Sequence, residues 1–141
     1  MNRLIFVLIC SISICLLNSC KDDDSENFDY HIHIHEPDVE DKKMGESMHI
    51  HVDFESKTGE DVHNVNVRIY NKETNEEVYN KPTDSHAEHG ESKLEHHDDF
   101  ELTSANKIAG HNNYILEAKV WAHNAGEAEV IETVEFHVHP E

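Results

Sequence analysis

Phe28-Asp29-Tyr30-His31-Ile32-His33-Ile34-His35 alternates without a break: even positions are apolar or aromatic and odd positions are polar. Period-two alternation is the mark of a β-strand with one face in a core and the other in water. The wet face of this strand is a column of imidazoles. The pattern returns at Met48-His49-Ile50-His51-Val52-Asp53-Phe54 and at Phe136-His137-Val138-His139.

Outward from that stretch, seven short strands are predicted. The first is 28–35, ended by Glu36-Pro37; an acidic connection with Gly45 leads to the second, 47–55, which points Met48, Ile50, Val52 and Phe54 inward. A turn at Lys57-Thr58-Gly59-Glu60 precedes the third, 63–70, which buries Val65, Val67 and Ile69. Lys72–Asn75 turns into a short fourth strand, 76–79. The polar run 82–99 carries His86, His89, His96 and His97 and reads as a long loop, with a fifth strand starting near His96 and passing through Phe100 and Leu102. The sixth, 114–123, buries Tyr114, Leu116, Ala118 and Val120. Asn124-Ala125-Gly126-Glu127 turns into the seventh, 130–139. Strands at this spacing, with no helical period, predict an all-β fold, a Greek-key β-sandwich.

The 141 residues hold 30 Asp and Glu against 11 Lys and Arg, a net charge of −19 with histidine neutral. Loss of residues 1–19 would remove Arg3 and no acid, so −19 becomes −20. Phosphate recognition runs on Lys and Arg, so this balance argues against nucleic-acid binding and for cation attraction. All 14 histidines lie beyond residue 30, whereas the three cysteines are Cys10, Cys15 and Cys20. A domain over 28–141 would therefore have neither a disulfide nor a thiolate metal site.

Met1-Asn2-Arg3 followed by the apolar run Leu4–Leu17 has the length and charge order of a signal peptide, and is too short for a comfortable membrane span. Leu17-Asn18-Ser19-Cys20 resembles a bacterial lipobox, which implies cleavage after residue 19 and lipidation of Cys20. Lys21-Asp22-Asp23-Asp24 is similar to the tag that sends some lipoproteins to the outer face of the outer membrane. Residues 20–27 then serve as lipidated cysteine and acidic tether. The implied location is the outer membrane, lipid-anchored and facing the cell exterior.

Gly45-Glu-Ser-Met-His-Ile-His-Val-Asp-Phe, Val65-Asn-Val-Arg-Ile-Tyr and Tyr114-Ile-Leu-Glu-Ala-Lys-Val-Trp-Ala-His-Asn-Ala-Gly-Glu together resemble a bacterial immunoglobulin-like domain. The likeness is in particular to small surface lipoproteins carrying one His-rich domain of this kind, a group from which no activity carries over. It implies that the first, second and fifth strands share one sheet and the third, sixth and seventh the other. His31, His33, His35, His49, His51 and His97 would then project from one wet face, with His86, His89 and His96 joining from the loop beside it. Neighbouring strands lie about 4.8 Å apart and alternate residues about 6.6 Å, so three such imidazoles can close on one ion.

Imidazole suits zinc, copper(II) and nickel, so the expected cofactor is a divalent transition metal, zinc first. Asp53, Asp98 and Asp99 stand ready as further ligands or as partners that hold ring tautomers. His137 and His139 form a separate pair that could join His31–His35 if the first strand paired with the last. Binding should weaken below about pH 6, where imidazoles protonate. The alternative function is a structural or adhesive immunoglobulin-like module that contacts a protein or glycan, its histidines incidental or pH-sensing. No Ser or Cys nucleophile arrangement and no His-Glu-x-x-His motif appears, so no enzyme is expected.

Overall fold

The computed structural model describes residues 27–84 and 91–141. The expected lipidation site Cys20, the signal peptide and the loop histidines His86 and His89 lie outside the described residues.

Among the described residues eight strands form two sheets: β1 (Tyr30–Glu36), β2 (Lys42–Lys43), β3 (Ser47–Ser56), β4 (Asn64–Asn71), β5 (Glu77–Asp84), β6 (Lys93–Glu101), β7 (Asn112–Trp121) and β8 (Val130–His139). One sheet has the order β1-β3-β6 and the other β2-β8-β7-β4-β5. All pairings are antiparallel except β2 with β8. From β1 in the three-stranded sheet the path switches to β2 at the edge of the other. This is an immunoglobulin-like Greek-key sandwich, with the sheet assignment that the sequence implied.

The alternating residues do what their parity predicts. Ile50, Val52, Phe54, Val65, Val67, Ile69, Leu116, Ala118, Val120, Phe136 and Val138 are buried between the sheets. Tyr114, 1% exposed, accepts a hydrogen bond on its hydroxyl from the N–H of Ala109, five residues upstream (2.9 Å). This is the tyrosine corner that closes the turn into the matching strand of immunoglobulin-like sandwiches. The bond is part-buried and ties the exposed Ala109 turn to the buried Tyr114 ring, which fixes the corner in place.

Three strand assignments differ from expectation. β5 runs on to Asp84 through Pro82, where the sequence reading stops at Tyr79. β5 is an edge strand, so a residue without an N–H can sit there with its bare side facing outward. β6 starts at Lys93, shortening the predicted loop. The two-residue β2 was not anticipated. Finally, β1 pairs with β3, and β8 with β7 and β2. β1 and β8 only lie side by side along a groove lined by Ile32, His33, Ile34, Glu132, Thr133 and Val134. His137 and His139 are therefore not brought into the β1 column.

Candidate metal centre

β3 is the middle strand of its sheet, and its outward residues His49, His51 and Asp53 are flanked by the outward residues of both neighbours. In the β3–β6 ladder His51 faces His97, His49 faces Asp99 and Asp53 faces Glu95. On the other side His33 faces Asp53, but the register shifts between Ile34 and Glu36, so His35 and Glu36 together stand against His51. That bulge re-aims the end of β1 toward β3.

The result is a row of imidazoles crossing three strands. The His35 and His51 rings stack at 4.3 Å (21° between planes), and His51 and His97 at 4.1 Å (27°). These separations are close to the strand spacing itself. His33 meets His35 edge-on at 4.3 Å, and His49 lies 5.9 Å from His97. His51 is the hub.

Carboxylates complete the arrangement. His35 Nε2 donates to Asp53 Oδ2 at 3.1 Å, and Lys93 Nζ lies 3.2 Å from the same oxygen. His51 Nε2 is 3.3 Å from Asp53 Oδ1, within ion-pair reach, yet that buried oxygen has no hydrogen bond. A desolvated carboxylate oxygen without a hydrogen bond is costly, and a cation is one of the few things that resolves it. Burial pushes the Asp53 carboxyl up, but the hydrogen bonds from His35 and Lys93 and the nearby positive charge outweigh this and hold it below its usual range. Glu95 is also held low, by hydrogen bonds from Lys93 (2.7 Å) and then His97 (3.4 Å). Both acids are anions at neutral pH.

On this face, two sets of three donors emerge among the described residues, His35-His51-Asp53 and His51-Glu95-His97, each with its ligand atoms within 4.8 Å of one another. Tetrahedral zinc with bonds of about 2.0–2.1 Å needs donors about 3.3 Å apart. The gap is small enough for partly exposed rings to close by side-chain rotation.

Of the histidines expected on this face, His35, His51 and His97 enter these sets. His33 and His49 border them: His33 touches His35, and His49 is hydrogen-bonded through Nδ1 to Asp99 Oδ1 at 2.9 Å. His31 shares the face but stands further along β1, opposite Glu55. His96 is a correction. It neighbours His97 in sequence and so projects from the opposite side of β6, together with Asp98.

There, Tyr79 of β5 donates its hydroxyl hydrogen to Asp98 Oδ2 (2.9 Å) and receives one from His96 Nε2 (2.9 Å). β5 and β6 are edge strands of different sheets, so this trio closes the seam between them and is withdrawn from the metal face. Glu95 was missed as a ligand. Its only signal is parity with His97, which becomes readable once β6 is known to begin before His96.

No family model matches the chain, and no curated protein matches it. Among solved structures it is similar to the CARDB domain of the PF1109 protein from Pyrococcus furiosus, solved in complex with di-metal ions. The two share 15% identity over 82% of this chain and 94% of that one, with a TM-score of 0.48. A likeness at this level transfers no residue role.

Proposed function

We propose that this protein is a lipid-tethered module that binds a divalent transition metal on the outer face of its three-stranded sheet, as a scavenger, buffer or delivery protein and not as a catalyst. The observation that carries the reading is His51, stacked between His35 and His97 and common to two donor sets that each include an ionised carboxylate. Neutral imidazole with carboxylate and no thiolate favours zinc, then copper(II) or nickel. The lipobox-like Leu17–Cys20 and the acidic tether support anchoring through Cys20 at the outer membrane, facing the exterior. A net charge of −19 would concentrate cations at such a surface.

Thermal melting of the protein with EDTA, zinc, copper(II) and nickel tests the binding. A rise in melting temperature with at least one ion, reversed by EDTA, supports it. Indifference to all three would leave an adhesive or structural immunoglobulin-like module. Anchoring is tested by Cys20→Ser, expected to move the protein from the membrane fraction to the soluble one; unchanged partitioning would refute the lipid attachment.

A further inference from the structure

A second constellation lies on the other sheet. His137 and His139 project from β8 on the parity opposite to the buried Phe136 and Val138, with ring centroids 4.7 Å apart. His111, just before β7, brings a third imidazole, 6.3 Å from the His137 ring and 6.2 Å from that of His139. Donor atoms of all three lie within 4.8 Å of one another.

Three features make this more than proximity. His111 is held in the left-handed region, at φ 61°, an uncommon backbone state for a residue other than glycine. Its N–H donates to Val138 O at 2.7 Å, and a Cβ at the preceding Gly110 would stand 2.8 Å from the nitrogen of Pro140. The 110–111 corner is therefore seated against the end of β8, which fixes His111 beside the pair. A residue held this way against its preference is found where the surroundings over-determine it, ligand clamps among them.

The second feature is the state of His137. Asn113 donates its amide to Glu73 Oε1 (3.4 Å), which leaves Asn113 Oδ1 as the acceptor for His137 Nδ1 at 2.8 Å. His137 thus carries its proton on Nδ1 and presents the bare lone pair of Nε2, the form a metal takes. The third is Asp41, whose Oδ2 lies 3.0 Å from His139 Nε2, a carboxylate–histidine pair of the kind that orients ligating imidazoles.

We infer that His111, His137 and His139 form a second metal site, independent of the His51 face and sharing no residue with it. Three imidazoles leave an open fourth position for water or an exogenous ligand, and the donor set suits zinc, copper(II) or nickel.

Isothermal titration of the full chain with zinc would separate the two sites. A variant with His35, His51 and His97 all changed to Ala should keep one zinc site. Adding His137→Ala and His139→Ala should abolish it. Asn113→Ala in the same face-deleted background should weaken that site about 10–100-fold, since it releases the tautomer without touching a ligand. Ring nitrogen resonances of His111, His137 and His139 should shift on zinc addition, which reports ligation even if a variant folds poorly. The inference is overturned if the face-deleted protein binds no zinc, if binding survives loss of His137 and His139, or if those resonances stay fixed. Failure of the face site alone would instead show as wild-type zinc uptake that only His137 and His139 substitutions remove.

Discussion

His51 on β3 and His97 on β6 face each other across the ladder with ring centroids 4.1 Å apart, and His35 covers the other side of His51 at 4.3 Å. Stacked imidazoles present their lone pairs side by side, so an ion draws them together only if the rings fan. All three project into solvent, where rotation is cheap, and none supports the core. Metal affinity and fold stability are thus separable on this face.

His51→Ala removes the donor common to both sets. Surface substitutions of this kind change stability by about 0.5 kcal/mol or less, so the EDTA-treated variant should melt within a few degrees of wild type. The metal effect is larger: zinc at a hundred times its dissociation constant adds about 2.7 kcal/mol, roughly 10 °C for a domain of this size. In a background lacking His137 and His139 that shift should vanish with His51→Ala and persist with His31→Ala. Differential scanning calorimetry with and without zinc reads both numbers.

Lys93 is a resident cation. Its Nζ lies 3.2 Å from Asp53 and 2.7 Å from Glu95, the acidic member of each donor set. An incoming dication must displace it or bind beside it. Lys93→Met should strengthen zinc binding at the face on the order of tenfold at low salt, less at high salt, because like charges a few ångströms apart at a surface repel by one to a few kcal/mol. Titrations at two ionic strengths check this; weaker binding in the variant would mean that the lysine positions the carboxylates.

Tyr114→Phe tests the corner that anchors β7. It removes the acceptor for the Ala109 N–H, a part-buried hydrogen bond of a kind that contributes about 0.5–1.5 kcal/mol. Urea unfolding should show a lowered midpoint with an unchanged slope. No loss would mean that water replaces the hydroxyl.

The seam trio sets the acid response of the metal-free protein. Burial lowers the His96 pKa below 6.5, against the pull of Asp98. The unfolded chain then takes up the proton first as pH falls. Stability should drop from about pH 6.5 down through the lower folded value and level off beneath it. Asp98 follows at lower pH. Burial raises its pKa, but the hydrogen bond from Tyr79, the Asp99 N–H, Lys81 and His96 outweigh that and lower it, so its contribution is present above about pH 3.8 and fades as pH falls through the folded value. His96→Gln in EDTA should remove the first step and keep the second. A pH–stability curve that is the same for both proteins would contradict this assignment.

The sandwich was legible because its strands alternate so strictly. In β3 every second residue from Met48 to Phe54 is apolar, and parity alone sends His49, His51 and Asp53 to the wet side. Register was not legible. Nothing in the chain announces that β1 bulges at Ile34–Glu36, or that Asp53 comes to rest between His35 and His51. His96 shows the limit of counting histidines: it and His97 look like one motif, but adjacent strand residues face opposite ways, and only one can join the row. His111 escaped for another reason. A histidine next to a glycine turn reads as exposed polar surface, and its meeting with His137 and His139 depends on how the turn into β7 docks against the end of β8.

The most direct test is metal content after equilibrium dialysis of the untagged protein against zinc, comparing wild type with the His35→Ala, His51→Ala, His97→Ala variant by elemental analysis. The His51-centred account predicts that the variant, still folded, holds one fewer zinc per chain than wild type. Equal zinc in the two proteins would contradict it.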